Sequence, residues 1–121
     1  MAAAQVVRDV PVTDSRLDPD RTYAALVQAG EEWADAEAAA QLLEETRKTV
    51  LAEEMRKAAA TSIAAKEMEA LASDTYRRFV DGMVNARKVA NKARVRYDSA
   101  KVLSELRRSQ ESSRRAEMGL R

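Results

Sequence analysis

The chain has 121 residues, 45% hydrophobic, 4% aromatic and 34% charged, with three Gly and two Pro and a net charge of +1. It contains neither Cys nor His, which excludes disulfides, thiolate or imidazole catalysis and the usual zinc sites. Much of the apolar content is alanine, so any core is thin and built by closely approaching helices, and β structure is not expected.

The charge is polarised along the chain. Residues 1–60 hold seven Lys/Arg against twelve Asp/Glu, net −5, whereas residues 61–121 hold fourteen against eight, net +6. Either the two halves face each other or the basic half faces a polyanion. Arg8 and Asp9 interrupt the Ala-rich start before a signal-type apolar core can form, and no later run reaches the ~20 apolar residues of a membrane span. The expected protein is cytoplasmic and makes no use of a membrane.

Residues 1–17 mix Val6, Val7, Val10 and Val12 with charges and Pro11, and read as a flexible N-terminal tail. A helical hairpin is expected over 18–118. Leu17-Asp18-Pro19-Asp20 starts the first helix: Asp18 caps, Pro19 takes the first helical position and Asp20 complements the dipole. That helix, about 19–59, carries an apolar stripe through Leu26, Trp33, Ala36, Ala40, Leu43 and Val50. Gly30 and Arg47 interrupt the stripe, and Gly30 should either admit a close contact or mark a bend. Thr61 and Ser62 mark the reversal, a short helix follows over about 62–72, and Ser73-Asp74 caps the last helix, about 74–118, with 119–121 as its end.

In the last helix Tyr76, Phe79, Met83, Ala86, Ala90, Ala93, Tyr97 and Ala100 alternate steps of three and four, the a/d seam of a coiled coil. Beyond Ala100 the apolar residues Leu103 and Leu106 leave that phase, which predicts either a stammer there or the end of the partner helix. Trp33, Leu43, Val50, Tyr76, Phe79, Met83, Tyr97, Leu103 and Leu106 are the expected core or interface. Arg87, Arg94, Lys101, Arg108 and Arg115 recur every seven residues on one flank, facing acids at Asp35, Glu37, Glu44, Glu45, Glu53 and Glu54. The excess charge at Lys88, Lys92, Arg96, Arg107, Arg108, Arg114 and Arg115 is the candidate surface for nucleic acid or a protein partner. The expectation is therefore an all-α antiparallel hairpin or coiled coil, completed by self-association into a homo-oligomer, with no catalytic residues, metal or cofactor.

Three stretches carry a resemblance: 43–52 (LEETRKTVLA), 69–76 (EALASDTY) and 97–114 (YDSAKVLSELRRSQESSR). Together they resemble small helical proteins encoded by bacteriophages and prophages, over about residues 20–115, with Leu106 where the last motif carries a tryptophan. The resemblance implies a phage or prophage origin and a place near nucleic-acid machinery in the host-cell cytoplasm, and with no catalytic arrangement among the residues the expectation is a non-catalytic interaction or assembly module. A direct nucleic-acid binder using the basic C-terminal helix and a structural virion component are the alternatives.

Overall fold

The computed structural model describes residues 18–119, and the expected tail over 1–17 lies outside them. The described chain is all-α and holds no strand. It comprises α1 (Pro19–Lys57), α2 (Ile63–Leu71) and α3 (Asp74–Gly119). The starts follow from short polar side chains supplying acceptors to otherwise unpaired N–H groups. Asp18 Oδ1 accepts from the Asp20 and Arg21 N–H groups at 2.9 and 3.4 Å. Ser62 Oγ accepts from Ala65 N–H at 3.2 Å, and Ser73 Oγ from Tyr76 N–H at 3.1 Å. Ser73 also donates to the Ala70 carbonyl at 2.8 Å, so one hydroxyl closes α2 and opens α3.

The described residues form two compact units, 32–93 and 18–31 with 94–119, and α1 and α3 each run through both. In the unit 32–93, Arg87 meets Glu37 and Glu44, while the earlier Ser73 meets the later Glu54, so α1 and α3 run in opposite directions there. The Ala60 N–H donates to Glu69 Oε2 at 3.2 Å, tying the reversal to α2.

This unit contains all the buried hydrophobic residues of the described chain. They are Ala40, Ala70, Ala90, Ala93 and, at 8% exposure, Tyr76. Four alanines among five fit the composition: with so few aromatics, the helices close on methyl groups, where each added contact comes from backbone proximity rather than side-chain bulk. Trp33, Leu43, Val50, Phe79 and Met83 are half-buried around them. Arg47 is exposed, and Thr46 takes the inward-leaning position instead.

In the unit 18–31 with 94–119, the only buried residue described is Thr22. Gly30 admits the close contact that its place on the stripe calls for: a Cβ there would stand 3.4 Å from Tyr97 Cε2. Tyr97, Ala100 and Leu103 are half-buried. Leu106 is not part of a core here, being 52% exposed. No stammer occurs; α3 continues its heptad phase, which turns Ser104, Arg107 and Glu111 inward as half-buried residues and carries Leu106 outward. An unbroken helix fixes residue 106 about 100° from residue 107, and hydrophobicity alone does not shift that phase.

Candidate basic interface on the last helix

The heptad position of Arg87, Arg94, Lys101, Arg108 and Arg115 places them along one flank of α3, and the flank is used differently at each turn. Arg87 is the neutralised member. Its Nε and Nη2 donate to Glu44 Oε1 and Oε2 at 2.7 and 3.0 Å, and its Nη1 donates to Glu37 Oε2 at 2.6 Å. Glu37 and Glu44 lie seven residues apart on α1, the spacing that puts two acids on one edge for a single guanidinium to bridge. The hydrogen bond from Arg87 holds the Glu44 carboxyl below its ordinary range, and the two acids raise the Arg87 guanidinium.

Of the other acids expected to meet the basic helix, Asp35, Glu45 and Glu53 are exposed and make no ion pair with α3. Glu54 is buried. Its Oε1 accepts from Ser73 Oγ at 3.5 Å and its Oε2 lies 3.2 Å from Lys57 Nζ. Burial raises this carboxyl, but hydrogen bonds from Lys57, Thr75 and Ser73 outweigh it and leave the group below its ordinary range. Lys57, one turn after Glu54, was the only sequence signal for such a site.

Farther along, Lys101 Nζ sits 5.4 Å from the centroid of the Tyr97 ring, a cation–π distance. The arginines at 107, 108, 114 and 115 do not act alike. Arg107 is half-buried and donates to Glu111 Oε1 at 2.8 Å, and Arg115 approaches Glu111 Oε2 at 3.9 Å. The i, i+4 spacing of 107, 111 and 115 carries this signal, which a count of basic residues misses. Arg108, Arg114, Lys88 and Lys92 are exposed and form no ion pair among the described residues; Arg96 is exposed and has a partner.

The exposed basic groups thus lie on both units, Lys88 and Lys92 on one and Arg108 and Arg114 on the other. They suit screened contact with anions at the surface rather than in a built pocket. Among the described residues no group of three acids stands where it could hold a metal ion, and no helix is long and apolar enough to cross a membrane. Compared with protein-family models, curated proteins and solved structures, the chain has no match.

Proposed function

We propose that the chain is a non-catalytic interaction and assembly module, an antiparallel helical hairpin of coiled-coil type completed by self-association. One observation carries this reading. No large side chain is fully buried among the described residues, whereas Tyr23, Leu42, Ile63, Met68, Val95 and Val102 are large, apolar and exposed. A hairpin whose fully buried side chains are all alanine gains little from its own seam, and a second pair of helices stacked on it supplies the missing burial. The resemblance to phage- and prophage-encoded helical proteins extends the proposal to an origin in such genomes and a place near nucleic-acid machinery in the cytoplasm. Sedimentation equilibrium is the test: a dimer or higher oligomer is expected at tens of micromolar, and a monomer there refutes the reading.

A second reading has its own observation. Arg108, Arg114, Lys88 and Lys92 are exposed cations without acidic partners among the described residues, which favours direct contact with nucleic-acid phosphates. DNA binding measured at two salt concentrations checks it. Direct contact gives an affinity that falls steeply with salt, and the Arg108→Ala/Arg114→Ala variant flattens that slope by about 2.

A further inference from the structure

Within residues 32–93 the pairing of α1 with α3 leaves two long edges of opposite character. One carries the Arg87, Glu37 and Glu44 cluster. The helical period turns Ala39, Leu42 and Thr46 of α1, with Gly82 and Val89 of α3, toward the other. Between Ala39 and Thr46 on α1 and between Gly82 and Val89 on α3 that strip holds no charge, and the exposed Glu53, seven residues after Thr46, closes its α1 side. Leu42 is 61% exposed and Val89 is 47% exposed. The half-buried Thr46 donates its hydroxyl to the Leu42 and Leu43 carbonyls at 3.0 and 3.1 Å, so its polar atom is satisfied on its own helix. Above Gly82 a Cβ would meet nothing within 4 Å, leaving room for another backbone to come close.

The margins of the strip differ in sign. On α1 the outward positions carry the exposed Asp35 and Glu45, with Arg56 only in the last turn. On α3 they carry Arg78, Lys88 and Lys92 against Asp81. Glu37 and Glu44 straddle Arg87, and Glu54 lies beside Ser73; counting from these pairs sets Asp35 level with Lys92.

We infer that this face binds a second copy of the chain about a two-fold axis parallel to the helices, so that α1 of each copy lies on α3 of the other. The inference rests on the self-association reading above and adds its surface and orientation. Such an axis preserves levels, so Asp35 meets the partner's Lys92 twice at one end, and the uncharged stretches around Leu42 and Val89 close on each other beside these contacts. The alternative two-fold, across the helices, would set acidic margin on acidic margin and basic on basic, a repulsive arrangement. A nucleic acid does not suit the same face, because Asp35 and Glu45 repel phosphate along half of it.

Sedimentation equilibrium on the full chain tests the inference, with circular dichroism confirming helicity in each variant. Leu42→Glu and Val89→Glu put an unpaired charge into the strip and are expected to weaken the dimer at least about 100-fold. Asp35→Lys and Lys92→Asp are each expected to weaken it roughly tenfold, and the double swap to restore it to within a few-fold of the parent. A parent that self-associates while both Glu variants keep its affinity overturns this face and leaves self-association standing. A double swap no tighter than the single swaps overturns the orientation. A monomeric parent removes the inference together with the reading beneath it.

Discussion

Arg87 of α3 holds Glu44 of α1 by two parallel hydrogen bonds, 2.7 and 3.0 Å long, and spends its remaining terminal nitrogen on Glu37. All three side chains remain partly exposed, so the cluster does more to fix which levels of the two helices meet than to raise stability. Arg87→Met is expected to lower the thermal midpoint by no more than a few degrees, and an added Glu37→Gln should then change little further. A double-mutant cycle followed by circular dichroism measures the coupling.

Acid should loosen the unit 32–93 through two carboxyls. Glu44 and Glu54 both lie below their ordinary range in the folded chain. A depressed folded value means that their contribution is complete above the unfolded carboxylate value, about 4.3, and is lost as pH falls through the lower folded value. Thermal melts at falling pH are expected to show a declining midpoint over that window. Glu54→Gln should make the decline shallower, and an unchanged slope would show that Glu54 titrates alike in both states.

Gly30 is expected to accept one methyl group but nothing larger. Its Cβ would rest at van der Waals distance from the Tyr97 ring, and alanine is about 1 kcal/mol better than glycine inside a helix. Gly30→Ala should therefore stabilise by up to about 1 kcal/mol. Gly30→Leu drives extra carbons into the ring and should destabilise by roughly 1–3 kcal/mol. Urea unfolding of the two variants reads both signs.

Leu106 and Ala90 should behave contrary to their size. Leu106→Gln changes an exposed side chain and is expected to move stability by no more than about 0.5 kcal/mol in the absence of a partner. Ala90→Leu forces a larger group into a fully buried site and should cost roughly 1–3 kcal/mol or more. Chemical denaturation with unchanged slope distinguishes lost stability from altered compactness.

The helical class was legible because composition, capping and periodicity agree. Asp18, Ser62 and Ser73 each stand where a short acceptor is needed, and each is used as one. The seam through Tyr76, Ala90 and Ala93 was legible for the same reason, since small residues at alternating three and four spacing have few other uses. Past Ala100 hydrophobicity and phase disagree, and Leu106 lies outside the buried seam because the winning constraint is the continuity of α3. The basic surface was only half legible: composition gives the number of arginines, whereas the division between Arg107 beside Glu111 and Arg108, which has no ion pair among the described residues, is set by i, i+4 geometry. Glu54 reads in the sequence as one more acid facing a basic helix, and its partners are a neighbouring lysine and the Ser73 and Thr75 hydroxyls.

An interior of alanine also sets how this gene tolerates drift. Single-base changes in an alanine codon reach glycine, serine, threonine, valine, proline, aspartate or glutamate. Of these only glycine is smaller, so at Ala40, Ala90 and Ala93 nearly every available mutation adds atoms to a place with none to spare. In most proteins the common lesion of the core is a hole. Here it is crowding, and the route back is deletion of the added group rather than a compensating larger neighbour.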